Sequence, residues 1–199
     1  MRPLAAILAA CAVAVFATGC ASPPAHFYTL SHSATAAAKP VEALPDISVV
    51  VGPVSIPAII DAPQIVVTQG PNQVSLNEFN RWASPLQNNL SRVVVDNLAS
   101  MLGTSRVSLV TQSLNADPDF RVAIDVQTFE SVPGDSATLN ATWIVRRTKD
   151  DKAQAGRTAV REPSTGMGYD ALVAAHSRAL ARLSQDIADR IRLLDNALP

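Results

Sequence analysis

The first twenty residues constrain this chain more than any other stretch. Arg2 is the only charge among the first 38 residues, and Leu4 to Phe16 is apolar throughout. A basic start, an apolar run of about a dozen residues and a small-residue exit, Ala17-Thr18-Gly19, describe a secretory signal that is too short to span a bilayer stably. Cys20 follows at once. Removal of residues 1–19 leaves 180 residues, enough for one compact domain with its own core. Because the signal takes Cys11 with it, a chain beginning at Cys20 holds a single thiol and cannot close an internal disulfide. Its stability then has to come from apolar packing.

Small residues leading directly into a cysteine resemble a bacterial lipobox, in which the thiol receives a diacylglycerol, the signal is cut before it and the new amine is acylated. Ala17 stands where the usual pattern has Leu. Leu8-Ala9-Ala10-Cys11 fits the short pattern better. A cut before Cys11, however, leaves only Pro3 to Ala10 as the apolar run, near the lower limit of about seven residues. It also leaves a second apolar run, Ala12 to Ala17, at the start of the mature chain. Cys20 is therefore the expected lipidation site, with an ordinary secretory signal and a stray thiol as the plainer alternative. Ala21, rather than Asp, follows it, the pattern of a lipoprotein passed on to the outer membrane and facing the periplasm.

Residues 20–25 read as a lipidated tether stiffened by Pro23 and Pro24, which holds His26 within about 20 Å of the bilayer. Residues 26–199 read as one periplasmic domain. The formal net charge is −1, and −2 without Arg2. That balance gives no electrostatic footprint for nucleic acid and no basic patch for anionic headgroups. Attachment then falls to acyl chains, at about 0.8 kcal/mol per buried methylene.

Short β-prone runs dominate the first part of the domain: His26 to Leu30, Ile47 to Val51, Gln64 to Thr68 and Gln73 to Leu76. An Ala/Pro/Ser-rich loop, residues 31–46, separates the first two, and a Pro-punctuated extended crossing, Ile56 to Pro63, separates the next two. Gly70-Pro71-Asn72 makes the turn of a hairpin. Ser84 then fits an N-cap, Pro85 a first helical position and Gln87 a capping box. Leu86, Leu90, Val93, Val94, Leu98, Met101 and Leu102 recur on one helical face until Gly103 stops it. Further strands are expected at Arg106 to Val110, Phe120 to Gln127, Leu139 to Arg146 and near Arg157 to Arg161. A last amphipathic helix is expected from about Asp170 to Leu194, with Leu172, His176, Leu180, Leu183, Ile187, Ile191 and Leu194 on one stripe. This order predicts an α+β fold: a mostly antiparallel sheet with two amphipathic helices packed on one face, in a single domain.

No catalytic constellation emerges. Of the three histidines, His26 adjoins the tether, His32 lies in the loose loop and His176 falls on an apolar helical stripe. A packed side chain is the plain reading of His176, which has no second ligand three or four residues away to complete a metal pair. No serine sits in a Gly-x-Ser-x-Gly elbow. Gly166-Met167-Gly168 reads as a flexible helix entry rather than an anion site, because it lacks the wider glycine fingerprint. Asp125 and Glu130, five apart on a strand, are expected on opposite faces. Neither an enzyme, nor a metal site, nor a cofactor is expected.

The residues nonetheless carry a family signature. Cys20-Ala21-Ser22-Pro23-Pro24 and Phe27-Tyr28-Thr29-Leu30 resemble the start of mature PqiC/YmbA-type lipoproteins, the auxiliary lipoproteins of ABC-type and MCE transport systems. Val51-Gly52-Pro53-Val54, Ile56-Pro57, Asp61 with Pro63-Gln64-Ile65-Val66, and Asn80-Arg81-Trp82-Ala83-Ser84-Pro85-Leu86 look like further signatures, as does the last helix from Tyr169. Ala17 and the long Ala-rich loop are the main departures. The resemblance implies an outer-membrane lipoprotein that assembles with copies of itself. It would receive the conduit of an inner-membrane MCE-domain protein and so support lipid traffic and envelope integrity. Arg81 and Trp82 are a pair enriched at interface hot spots, and they are the expected subunit or partner contact; a Trp82 stapled onto the core beside a solvated Arg81 is the alternative. A lipoprotein that itself carries a lipid or other apolar ligand is the competing function.

Overall fold

Among the described residues, runs of β-branched residues alternating with polar ones build eight strands, and the two apolar stripes build two helices. The computed structural model describes residues 23–32, 43–44, 46–112 and 117–196. The expected signal segment with Cys11, the proposed lipidation residue Cys20, Ala21 and Ser22 of the expected tether, and most of the Ala-rich loop lie outside the described residues. In chain order the elements are β1 (His26–Tyr28), β2 (Val49–Ser55), a 3-10 turn (Ala58–Ile60), β3 (Gln64–Gly70), β4 (Gln73–Trp82) and α1 (Leu86–Leu102). Then come β5 (Val107–Leu109), β6 (Phe120–Val132), β7 (Ser136–Arg147), β8 (Ala153–Pro163) and α2 (Tyr169–Asn196).

The fold is the expected α+β domain, but its strands divide between two mixed sheets. The larger has the order β5-β2-β6-β7-β8, and the smaller β1-β4-β3. The late strands form antiparallel hairpins, as their short turns required. Around β2 the pairing is parallel to both β5 and β6. The reason is the connection: the chain leaves β2, builds the small sheet and α1, and returns in the same direction, as a crossover must. Helix α1 packs on β2 and β5, α2 packs on β7 and β8, and the two helices touch each other. They bury Val122, Ile124, Leu139, Ala141 and Val145 of the large sheet beneath them. The opposite face of that sheet is exposed at Arg121, Asp125, Ile144, Arg146 and Arg157.

The helix ends show where local rules held. Gly103 closes α1 in the left-handed region at φ 69°, donating its backbone N–H to Ala99. The capping box expected at the other end does not form. Pro85 occupies the cap position without any side-chain cap bond, and the Gln87 amide donates instead to the Val54 carbonyl. That long-range bond fixes α1 to β2 of the large sheet.

Two polar devices tie α2 down. Arg147, 2% exposed, grips Asp150 with two N–H groups, at 2.9 and 2.6 Å, and also donates to the Leu194 carbonyl near the end of α2. The same guanidinium holds the Asp150 carboxyl well below the usual carboxylate range. Trp143 donates its indole N–H to Thr158 (3.1 Å), which donates in turn to Asp186 of α2 (2.5 Å). Opposite Trp143 in the β7–β8 ladder stands Gly156. A Cβ there would meet the indole at 2.2 Å, so the ring lies where any other residue would put its side chain.

Two outcomes follow from this packing. Gly156→Ala should destabilise the domain by about 1–3 kcal/mol in denaturant unfolding, because the hydrogen-bonded indole cannot move aside. His176, fully buried, has its pKa pushed down to about 3 by desolvation. Its neutral form is therefore part of the fold. Stability is complete above the ordinary histidine pKa of 6.5 and falls as pH drops toward about 3, because the unfolded chain takes up the proton first. The slope should approach roughly 1.4 kcal/mol per pH unit in that window, and His176→Gln should remove it in acid-titrated unfolding.

Candidate functional site

The segments that carry the family signature are distant in sequence and meet in space. Prolines at 57 and 63 keep the crossing off the helical path, and a brief 3-10 turn, Ala58–Ile60, bends it back toward β4. The Trp82 N–H donates to the Pro63 carbonyl and the Ala83 N–H to the Tyr28 carbonyl, each at 2.8 Å. The Tyr28 hydroxyl donates to Asn80 (2.9 Å). Phe27 pairs with Arg81 across β1 and β4, and Gln64 pairs with Arg81 across β3 and β4. Where these strands end, Asp61, Ala62, Pro63, Trp82, Ala83, Ser84 and Pro85 line a cleft of about 370 Å³.

Arg81 and Trp82 point in opposite directions, as neighbours on a strand must. Trp82 is 6% exposed and sets its ring edge against Phe129 at 6.5 Å, so it belongs to the core. Arg81 is half-buried on the outer face of the small sheet and forms no ion pair among the described residues. Of the pair singled out from sequence, only Arg81 offers its side chain to a partner.

A second cleft, about 240 Å³, opens where the small sheet meets β6; Ile59, Ile60, Val66, Val74 and Phe129 give it an apolar lining. Thr68 donates to Glu130 along its rim (3.0 Å). At its base lies a contact that sequence reasoning missed: Ser131 Oγ sits 2.8 Å from His176 Nε2, both buried. The distance is that of a nucleophile–base pair. The chemistry is weak, because His176 Nδ1 has no hydrogen-bond partner among the described residues to orient it and desolvation leaves the imidazole a poor base. His176 instead stacks on Phe129 at 3.8 Å and 11°. The helical stripe correctly placed His176 in the core. Ser131 was not legible, because a bulge between Val126 and Thr128 resets the phase of β6.

That bulge also corrects the reading of Asp125 and Glu130. The inserted residue returns both to the outer face, with Val126 and Phe129 buried on the other. They remain apart in function: Asp125 accepts from Ser55 and Glu130 from Thr68. His26 and His32 are exposed, and no group of three potential metal ligands occurs among the described residues. Gly166 to Gly168 leads into α2, whose first turn already carries Asp170, a carboxylate where an anion would have to sit.

Comparison with known proteins completes the picture. No curated protein matches this chain. Among solved structures, the crystal structure of an uncharacterized protein aligns at a TM-score of 0.69 and 20% identity, covering 85% of this chain and 99% of that one. A Xanthomonas campestris protein of family model DUF330 aligns at 0.63 and 22% identity, covering 84% and 95% respectively. At these identities the likeness establishes the fold. The family model of the ABC-type transport auxiliary lipoprotein component matches residues 28–188, from β1 through most of α2. This chain belongs to that family of ABC-type transport auxiliary lipoproteins, the PqiC/YmbA-type lipoproteins whose signature its crossing and Arg81–Leu86 segment carry.

Proposed function

We propose that this chain is a non-enzymatic accessory of an MCE/ABC-type intermembrane lipid transport system, anchored at the periplasmic face of the outer membrane by acyl chains on Cys20. The observation that carries the reading is the match to transport auxiliary lipoproteins over residues 28–188, beginning eight positions after a cysteine at the exit of an export signal. The work of such a subunit is positional. The anchor and its two prolines keep the domain at the membrane, and the domain, assembled with copies of itself, holds the conduit of an inner-membrane MCE-domain protein against that membrane.

The two clefts bear on the competing carrier reading. The apolar one, at about 240 Å³, is smaller than the roughly 300–1,000 Å³ that usually encloses a small ligand. The larger one, at about 370 Å³, falls at the low end of that range and is lined by Pro63, Pro85, Ala62, Ala83 and Trp82 together with Asp61 and Ser84. The family match, rather than cleft volume, favours docking over carriage.

Affinity capture from crosslinked cells tests the proposal. The wild-type chain should co-purify with an MCE-domain protein and fractionate with the outer membrane, whereas Cys20→Ala should lose both. A wild-type chain that captures no transporter component and retains lipid in native mass spectrometry would transfer the function to the carrier.

A further inference from the structure

Exposed apolar side chains are not scattered evenly over this domain. Among the described residues nine large hydrophobic side chains are exposed, and five of them, Phe27, Ile59, Val74, Leu76 and Phe79, lie on the small sheet or the turn beside it. Register explains much of the concentration. Phe27 pairs with Arg81, Arg81 with Gln64, Leu76 with Val66 and Val74 with Thr68, and directly opposed residues point to the same side of a sheet. Tyr28, Ile65, Val67 and Trp82 alternate with them and face inward. Phe27, 65% exposed, is the most prominent ring on the outer side. A monomer that left such a patch bare would expose an interaction surface.

We propose that the outer face of the small sheet rests on the phospholipid bilayer that holds the anchor, with Phe27 inserted at headgroup depth and Arg81 donating to lipid phosphate oxygens. This rests on the anchoring of Cys20 put forward above. Six positions separate Cys20 from His26, the first residue of β1, and a chain of that length spans at most about 20 Å even when extended. Strand β1 is the edge strand of the small sheet, so the anchor emerges beside this face. An aromatic ring next to an arginine is the combination that suits a membrane interface, apolar body inward and charged head at the phosphates. Arg81 has no carboxylate partner among the described residues. The acid nearby in sequence, Glu78, accepts from Gln64 at 2.9 Å. A second copy or the conduit could also cover an apolar patch, but neither must approach from the side on which the tether leaves.

The test uses the full lipidated chain, reconstituted into phosphatidylethanolamine–phosphatidylglycerol vesicles with or without bromine on the acyl chains. Phe27→Trp places a reporter on the face. Leu193→Trp is the control, at an exposed position 24 residues along α2 from Tyr169, whose ring lies 5.9 Å from Tyr28; at helical rise that is about 36 Å away. Flotation with the vesicles reads anchoring, and bromine quenching reads contact. Phe27→Trp should be quenched several-fold more than Leu193→Trp or the wild type, whose Trp82 and Trp143 are buried. Adding Arg81→Gln should reduce that quenching. A floating Phe27→Trp chain quenched no more than the control overturns the membrane face and leaves the anchor standing. Emission shielded equally with and without bromine overturns it in favour of a protein contact. Failure of the wild type to float removes the anchor, and this proposal with it.

Discussion

A column of three rings joins the parts of this domain. Trp82 at the end of the small sheet meets Phe129 edge-on, and Phe129 stacks on His176 of α2. No two of these residues share an element, so the column fastens the small sheet, the long strand β6 and the last helix together. It depends on an uncharged imidazole, because a proton on His176 would place an unpaired charge in the core. The Ser131 contact at Nε2 satisfies one ring nitrogen and leaves the other without a hydrogen-bond partner among the described residues. That polar pair is part of the packing, and its proximity to a cleft gives it no catalytic partner.

The bulge in β6 makes the column reachable. Before it, Phe120, Val122, Ile124 and Val126 face the helices; after it, Phe129 and Ser131 do so in the shifted phase. One inserted residue thus lets a single long strand serve as the middle of the large sheet and as the support of the small one. The crossing from Ile56 to Pro63 and the Arg81–Leu86 segment then close around that support through the Trp82–Pro63 and Ala83–Tyr28 hydrogen bonds. The signature segments are therefore the joints between the two sheets. What they expose, chiefly Arg81 and the rings and aliphatic chains of the small sheet, is left for whatever lies beyond the domain.

Sequence periodicity located most elements because their signals are local. The stripe from Leu86 to Leu102 found α1, the alternation in Phe120–Gln127 and Leu139–Arg146 found the cores of β6 and β7, and Gly103 marked a helix end by its left-handed backbone. It misjudged Gln87, whose amide donates to the Val54 carbonyl of β2 while Pro85 at the cap position has no N–H for a capping box, and Asp125 with Glu130, whose faces a bulge reset. Arg81 and Trp82 were conspicuous by residue type, yet alternation on a strand sends one outward and the other into the core.

The residues alone determined the α+β composition and the two helical stripes, and they raised the expectation of an export signal ahead of Cys20, since each depends on neighbours within a few turns of chain. Only the tertiary structure decided that the strands split into two sheets, that β2 runs parallel to both its neighbours, and that Ser131 reaches His176. These outcomes turn on crossover direction and on one unpaired residue in a ladder. Both are settled by burying the largest apolar area in common, a quantity that no local window of sequence contains.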